Sequence, residues 1–424
     1  MAKLSSLRIS LAISFCIINL TLQAQKRIVT DTAHYQTLRM DPSNANGGNA
    51  SDIFDKIEYI PLETTTESTF GSVRQLEIVD DYFIILDHNT NCILIFDRRG
   101  KYLSKIKGKK DNPNYKIWDF TINRWTKEII FSEDGAQTMN YYSLDGKLKK
   151  SEKTPNNNPA DFLTSRFYFV DRDLAISYYG YHVTDTSSNQ YTPFSRALLV
   201  YLSPLKRVGM MALNYTAQES RFDYSYTGIG PITKAESDTT FFLSKPYAGG
   251  IYKISPNQVS LSYKIIFPQQ VSLPGDFLSN TSYDYKRSEY PRNNRRAIYS
   301  INNFYKSGDN LLFEASSYEI NREDNLIYNL KTANLIAYKH IATDNLSYQL
   351  PLYDSNSAYF DIVGILGSSE GNIYTSLSSL AMFDAYQANK NKSPQYHPRL
   401  TEYFKTSGPK SNPVLLQLKL KDKL

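Results

Sequence analysis

The sequence predicts an all-β protein, a β-propeller of six blades in which each blade is a sheet of four antiparallel strands. Three observations support this prediction. Aromatic residues make up 13% of the 424 residues, with 34 tyrosines and 21 phenylalanines, a composition typical of strands. The stretch Phe83–Ile106 has the pattern of three short strands joined by two turns, as in one propeller blade. The same pattern recurs along the chain, close to the repeat of about 40 to 50 residues that propellers show.

The clearest repeat is the turn after the third strand of a blade. Phe96–Lys101 aligns with Tyr142–Lys147, 46 residues later, and both end in Gly-Lys. An aromatic residue precedes this turn in five predicted blades, where we expect it to fill the space between blades. The five residues are Phe96, Tyr142, Tyr201, Tyr252 and Tyr328. The uneven spacing between them predicts loops of different length, and counting alone leaves five or seven blades open.

The two ends of the chain are predicted to meet in one sheet. Phe54–Leu62 has the pattern of a single strand that precedes the first complete blade. Such a strand can complete the last blade and so close the ring. Within that last blade, Leu377–Asn389 and Arg399–Lys405 have helical patterns and predict a short helical insertion. The predicted propeller domain is therefore residues 53–424.

The first residues have the pattern of a secretory signal peptide. Lys3 and Arg8 form a basic start, an apolar run follows over Ile9–Leu22, and Ala24 is a small residue at the expected cleavage point. We expect residues 1–24 to be removed, residues 25–52 to form a flexible leader, and the protein to be exported to the periplasm or cell surface. Cys16 raises the alternative of a lipid anchor, but the Phe15 that precedes it favours a soluble product.

Charge and cysteine content exclude several classes of protein. Without Lys3 and Arg8, 46 basic side chains face 42 acidic ones, a net charge of +4. That is too small to indicate binding of nucleic acid. No transmembrane span and no partner subunit are predicted for the mature chain, which we expect to be a monomer. Cys92 is then the only cysteine, and we expect it to act as a small apolar core residue.

The sequence contains no motif for a metal, a cofactor or a catalytic nucleophile. No two of the five histidines lie within five residues of each other, and none has a cysteine partner. We therefore assign no catalytic residue, no metal ligand and no cofactor. The alternative is a hydrolase or lactonase, with or without calcium, whose acidic residues face the central channel. Its candidates are Asp119, Asp161 and Asp361, each of which also suits a turn at a strand end.

Two features predict a ligand-binding surface. The basic segment Lys286–Arg296 could hold an acidic glycan or a peptide carboxylate through planar guanidinium groups, or be an ordinary solvated loop. Exposed aromatic residues could stack on sugars or anchor peptides, or simply pack between blades. The candidate binding residues are Trp118, Tyr178, Tyr179, Arg292, Arg295 and Arg296.

The chain resembles a family of secreted bacterial six-bladed β-propellers that are classed as domains of unknown function. The similar segments are Ile57–Thr64, Phe83–Ile106, Asp238–Ile254, Leu326–Thr332 and Asn412–Lys421. The resemblance implies the fold and export, and it implies no activity. Our leading hypothesis is an exported, non-catalytic binding module that recognises a glycan, a peptide or an envelope protein. The alternatives are the hydrolase described above and a structural component of an envelope complex.

Overall fold

The chain is a β-propeller, here in a computed structural model. The structure describes residues 28–108, 116–132, 138–153, 166–178, 199–202, 209–216, 218–219, 221, 232–235, 237–319, 325–355 and 364–424. The predicted signal peptide, residues 1–24, lies outside these ranges. Strands dominate the described chain, and they form six sheets around a central cavity. In five of these sheets, four consecutive strands pair in chain order.

The first three sheets are antiparallel meanders of four strands. The first contains β5 (Gln75–Val79), β6 (Tyr82–Asp87), β7 (Cys92–Asp97) and β8 (Tyr102–Lys107). The second contains β9 (Thr121–Asn123), β10 (Glu128–Ser132), β11 (Thr138–Ser143) and β12 (Leu148–Lys153). The third contains β13 (Phe167–Asp171), β14 (Leu174–Tyr178), β15 (Leu199–Leu202) and β16 (Gly209–Met211).

The next two sheets also gain strands from the N-terminal segment. The fourth contains β17 (Ile232–Lys234), β18 (Phe241–Ser244), β19 (Gly250–Ser255) and β20 (Gln258–Ile266), with β1 (Thr30–Asp31) and β2 (Gln36–Arg39) on its outer edge. The fifth contains β21 (Ser300–Ser307), β22 (Asn310–Ser316), β23 (Asn325–Asn329) and β24 (Leu335–Ala342), with β3 (Asn46–Asn49) outermost. The sixth contains β25 (Gly367–Ser369), β26 (Asn372–Leu377), β27 (Val414–Leu420) and β4 (Phe54–Pro61).

The described α-helices are short and lie outside the sheets. They are α1 (Ala50–Ile53), α2 (Glu289–Asn293), α3 (Ser379–Ala388) and α4 (Pro398–Thr406). The last two confirm the predicted helical insertion, because they lie between β26 and β27. Ser378 caps α3 by accepting a hydrogen bond from the backbone nitrogen of Ala381, and Pro398 begins α4. Buried residues of both helices, including Met382 and Leu400, join the hydrophobic core of the sixth sheet.

The repeated turn and its aromatic residue occur where the sequence predicts them. Gly100 and Gly146 both have positive φ values, 79° and 85°, which glycine adopts without strain. A Cβ at Gly100 would lie 2.3 Å from the carbonyl oxygen of Pro61, so the turn packs directly on the end of β4. All five predicted aromatic residues lie on the third strand of a sheet, and Phe96 and Tyr201 are completely buried. Cys92 is also buried, on β7, as predicted.

The N-terminal strand closes the sixth sheet as predicted. β4 pairs antiparallel with β27 from Phe54 opposite Leu420 to Pro61 opposite Val414. The strands nearest the N terminus and the C terminus of the propeller therefore lie side by side in one sheet. Unfolding either end breaks the same hydrogen bonds, which joins the two ends of the ring cooperatively.

The prediction that residues 25–52 form a flexible leader is wrong for the part of this segment that the structure describes. β1 and β2 pair in parallel with β20, and β3 pairs in parallel with β24. Leu38 and Met40 are buried against the fourth and fifth sheets. A Cβ at Gly47 would lie 2.4 Å from the carbonyl oxygen of His340, so glycine allows the close backbone approach. The Gly/Asn-rich composition suggested disorder. The segment is ordered because its strands form hydrogen bonds with β20 and β24, which lie far away in the chain.

Candidate functional site

A cavity of about 520 Å³ lies on the axis of the ring, and the innermost strand of every sheet contributes to its wall. One lining residue from each of these strands is Gln75, Thr121, Phe167, Thr233, Tyr305 and Gly367. The wall is strongly polar, because seven charged side chains line it. These are Arg74, Glu77, Asp119, Arg124, Arg166, Lys234 and Asp238.

Two ends of this cavity can be distinguished, since neighbouring innermost strands run in the same direction. Near the start of β5, the Gln75 side chain donates to the Phe120 carbonyl oxygen over 2.7 Å. Near its end, Arg124 Nη2 donates to the Ile78 carbonyl oxygen over 2.8 Å. We call the end where the innermost strands begin the mouth, and the end where they finish the opposite end.

The mouth is formed by Arg74, Trp118, Asp119 and Arg166, with Lys116 and His88 beside them. Arg74 directly precedes β5, Asp119 lies two residues before β9, and Arg166 directly precedes β13. Three consecutive sheets therefore place a charged side chain at nearly the same position. A strand start orients its side chains through the rigid sheet that follows, so these three groups are fixed relative to one another.

Arg166 is held in place by other parts of the wall. Its Nη2 lies 2.7 Å from Glu77 Oε1, and its guanidinium carbon lies 4.9 Å from the centre of the Tyr168 ring. The ion pair with Glu77 gives the Arg166 guanidinium a partner, and it links the third sheet to the first. It therefore shapes the wall of the cavity below the mouth.

Asp119 and Arg74 differ from Arg166 because neither side chain forms a hydrogen bond or an ion pair with any described residue. Both are half-buried. Burial raises the pKa of Asp119, while the nearby charges of Arg166, His88 and Arg74 act to lower it. A partly desolvated carboxyl group and a guanidinium group thus share the mouth without contacting each other. Each retains free hydrogen-bonding capacity that points to an external partner.

Trp118 places a large aromatic surface at the mouth. It is 66% exposed, which is unusual for tryptophan. The Lys116 ammonium lies 5.1 Å from the centre of its ring, and the His88 ring approaches it edge-on with centroids 5.7 Å apart. His88 Nε2 also lies 2.9 Å from the Trp118 carbonyl oxygen. These contacts fix the indole while most of its surface stays in solvent.

The opposite end of the cavity contrasts with the mouth, because its charges are paired. Asp238 forms ion pairs with Arg124, at 3.4 Å from Nε, and with Lys234. Arg124 Nη2 also approaches Glu77 Oε2 at 3.8 Å. These ion pairs link side chains of the first, second and fourth sheets, so they help to hold the wall together.

Of the predicted aromatic ligand residues, Trp118 and Tyr178 line the cavity. Trp118 lies at the mouth, whereas Tyr178 is buried on β14, where it packs with the core of the third and fourth sheets. Tyr179 lies outside the described residues, as do Asp161 and Asp361. Of the predicted aromatic residues that the structure describes, Trp118 is the exposed one at the mouth.

The predicted basic residues are elsewhere. Arg292 is exposed on α2. Arg295 donates from Nε to the Tyr318 carbonyl oxygen over 2.9 Å, and Arg296 Nε lies 3.2 Å from Glu319 Oε1. None of the three lines the cavity with Trp118. The structure therefore does not bring the two predicted halves of the binding surface together.

Arg287 does not belong to a basic surface, although it lies in the predicted basic segment. Its side chain is completely buried. It donates hydrogen bonds to the carbonyl oxygens of Arg221, Phe277 and Leu278, and to Asp284. Its role is structural, because it ties the connection between the fourth and fifth sheets together. A basic run in a sequence does not reveal which of its members is buried.

The sequence did not single out Arg74 or Arg166, although in the structure each directly precedes the first strand of a sheet. Neither forms a motif with its sequence neighbours, and 92 residues separate them in the chain.

Within the described residues, no group of three or more His, Cys, Asp or Glu side chains is placed to hold a metal ion. No helix of the described chain is long and apolar enough to cross a membrane.

We expect Asp119→Asn to stabilise the protein at neutral pH. The pKa of Asp119 is raised by folding, so between its ordinary value of about 3.9 and the raised value the folded state keeps a proton that the unfolded state has lost. Native stability therefore falls as pH rises through that window, and asparagine removes this loss. A gain of about 1 kcal/mol corresponds to a melting temperature about 1 °C higher for a chain of this size.

Thermal melts from acid to neutral pH test this expectation, with Asp173→Asn as the control because Asp173 is exposed at a turn outside the cavity wall. The gain from Asp119→Asn should grow as pH rises and vanish below about pH 3.9. A gain independent of pH, or an equal gain for the control, would contradict the assignment.

Comparisons with known proteins agree with the fold. An exported protein from Bacteroides fragilis NCTC 9343 aligns over 92% of this chain and 100% of its own, with a TM-score of 0.64 and 16% identity. A DUF4221 member from Bacteroides vulgatus aligns over 87% and 97%, with a TM-score of 0.43 and 10% identity. Virginiamycin B lyase from Staphylococcus aureus aligns over 66% and 72%, with a TM-score of 0.29 and 14% identity. The first likeness shows the fold alone, and the other two are too weak to support an argument.

The family of the chain follows from its sequence. No curated protein matches it. One family model, "Domain of unknown function (DUF4934)", matches residues 37–419, from within β2 to within β27. The match spans all six sheets, and the chain therefore belongs to the DUF4934 family.

Proposed function

We propose that this protein is an exported, non-catalytic propeller whose ligand-binding site is the mouth of the central cavity. The observation that supports this most directly is the contrast between the two ends. Arg74 and Asp119 lack partners within the described chain, whereas Asp238, Arg124 and Lys234 satisfy one another. Unpaired, partly desolvated charges cost stability, and proteins keep such groups mainly where function needs them.

The scaffold proposed for this site is a ring of six blades, one for each sheet. Its support is the cavity wall, to which every sheet contributes its innermost strand. A closed ring holds the groups of the mouth at fixed separations, so little ordering is needed when a ligand binds. Export is supported by the basic and apolar start of the sequence and by the exported protein of similar fold. The ligand would then be a glycan, a peptide or an envelope protein in the periplasm or at the cell surface.

A hydrolase is the second candidate, and the raised pKa of Asp119 supports it. A carboxyl group with a raised pKa is better suited to act as a general acid than an ordinary one. Glycoside cleavage by two carboxylates also needs a second carboxyl group about 5 to 10 Å away. Glu77, another acidic residue of the described cavity wall, is engaged by Arg166 at 2.7 Å. We therefore rank the binding module first.

A matched pair of charge substitutions tests the site. Arg74→Gln removes a guanidinium group from the mouth, and Arg172→Gln removes one from an exposed turn after β13. Ligands are first found by thermal shift with a panel of oligosaccharides and peptides, because binding to the native state raises its melting temperature. For an anionic ligand found this way, calorimetry should show at least about tenfold weaker binding to Arg74→Gln.

Arg172→Gln should leave that affinity unchanged. Equal weakening by both substitutions would indicate a general charge effect and contradict a site at the mouth. Full affinity in Arg74→Gln would have the same consequence. Release of products from a bound oligosaccharide, lost in Asp119→Asn, would instead support the hydrolase.

A further inference from the structure

We propose that the mouth binds an acidic sugar, a uronic-acid unit of an oligosaccharide or polysaccharide. This inference rests on the proposed function and names the chemical class of its ligand. A uronic acid combines a carboxylate, several hydroxyl groups and an apolar C–H face in one ring. The mouth offers a matching group for each of these, on adjacent sheets of the ring.

The first match is charge. Arg74, Lys116 and Arg166 bring three positive charges to the mouth, where the described acidic lining residues are Asp119 and the Glu77 that is bound to Arg166. Arg74, like Lys116, forms no ion pair within the described chain. Its planar guanidinium can hold a carboxylate through two parallel hydrogen bonds, a stronger arrangement than a single neutral hydrogen bond.

The second match is the apolar face. Trp118 is 66% exposed, and Lys116 and His88 hold it in place. Large aromatic rings that are already ordered contribute contact area at little entropic cost. A sugar ring presents an apolar face of similar size to stack on it. A free phosphate or sulfate presents no such face and would leave the indole uncovered.

The third match is Asp119. Its carboxyl group forms no hydrogen bond within the described chain, so it can accept hydrogen bonds from ligand hydroxyl groups. A second carboxylate at this point would be repelled, which places the acidic group of the ligand on the side of Arg74. An acidic peptide would satisfy Arg74, but it brings further carboxylates near Asp119. These observations favour an acidic sugar over an acidic peptide.

The chain provides its own reporter for the test, because it contains only two tryptophans. Trp118 lies at the mouth. Trp125, which is 36% exposed, lies in the turn after β9, towards the opposite end. The variant Trp125→Phe therefore reports on the mouth alone, and Trp118→Phe reports on the other end. The probes are trigalacturonic acid, its methyl ester, which is neutral, and triglutamate.

In Trp125→Phe, we expect trigalacturonic acid to change tryptophan fluorescence in a saturable way. Trp118→Phe should show no change. Adding Arg74→Gln to Trp125→Phe should weaken binding at least tenfold, a loss typical of a charge-assisted hydrogen bond, and the methyl ester should bind as weakly. Raising salt from about 0.1 M to about 1 M shortens the screening length from about 10 Å to about 3 Å, so affinity should fall.

Each other outcome overturns the proposal, and the outcomes are distinguishable. If triglutamate or the methyl ester changes Trp118 fluorescence at least as strongly as the acid does, the acidic sugar is wrong while binding at the mouth stands. Calorimetry could also show that trigalacturonic acid binds without changing Trp118 fluorescence and with the same affinity in Arg74→Gln. In that case the assignment of the mouth as the binding site is wrong as well. If none of the probes binds, the acidic sugar is rejected, and the panel of the previous section decides on the mouth independently.

Discussion

A chain shortened to begin at residue 62 will not unfold cooperatively, because it lacks β4. This strand supplies the outer partner of β27 along its whole length. It also buries Phe54, Ile57, Tyr59 and Ile60, each at most 6% exposed. At about 2 kcal/mol for each buried side chain, the loss is about 8 kcal/mol. That is comparable with the whole stability of a typical domain, about 5 to 15 kcal/mol.

Tyr59 adds a polar contribution to this loss. Its hydroxyl group lies 3.1 Å from the Leu350 carbonyl oxygen and 3.3 Å from that of Ser347. Both oxygens belong to the connection between β24 and β25, and they lose this donor when β4 is removed. Removing β4 therefore exposes the core of the sixth sheet and also loosens the segment before it.

The matched control is a chain that begins at residue 50, which lacks β1, β2 and β3 but keeps β4. It loses pairing on the outer edges of the fourth and fifth sheets and the burial of Leu38 and Met40. We expect it to melt cooperatively at a lower temperature than the chain that begins at residue 25, with an unchanged strand signal in circular dichroism. If the chain from residue 62 also melts cooperatively near the full-length temperature, closure by β4 is not needed for stability.

Arg287→Met will destabilise the protein by about 3 to 5 kcal/mol. The substitution keeps most of the side-chain volume but removes donors from the carbonyl oxygens of Arg221, Phe277 and Leu278. It also removes a donor from Asp284, leaving a largely buried carboxylate with fewer partners. For about 400 residues, the entropy of unfolding is about 0.8 kcal/mol per degree. The melting temperature should therefore fall by about 4 to 6 °C.

Arg295→Met is the control for this prediction. Arg295 is exposed, and its Nε donates one hydrogen bond to the Tyr318 carbonyl oxygen. Loss of an exposed hydrogen bond should cost less than about 1 kcal/mol. Denaturant and thermal unfolding of both variants measure the difference. If the two variants are equally stable, the buried guanidinium is not what holds the connection between the fourth and fifth sheets.

Short-range features of this protein could be predicted from sequence. The turn around Gly100 needs a residue that tolerates positive φ, and the turn around Gly146 repeats it. Both turns depend on four or five adjacent residues, so their chemistry is visible in the sequence. The aromatic residues before the turns follow from the same local repeat. The closing strand was predictable because a single strand before a series of meanders can complete the last sheet and so close the ring.

Long-range features could not be predicted in this way. The N-terminal segment looked disordered because β1, β2 and β3 have little apolar alternation of their own. Their stability comes from β20 and β24, which lie about 200 to 300 residues away in the chain. Arg287 looked like part of a basic surface because its buried acceptors are backbone carbonyl groups, and every residue has one.

By itself, the sequence determined the strand-and-turn repeat, the closing strand and the helical insertion, since these depend on neighbouring residues. Only the tertiary structure decided which charges meet at the mouth. Arg74, Asp119 and Arg166 lie just before the first strands of three different sheets, and each is an ordinary charged residue among its sequence neighbours. Their shared burial, and the lack of side-chain partners for Arg74 and Asp119 in the described chain, arise when the ring closes, because closure alone brings the starts of the innermost strands together.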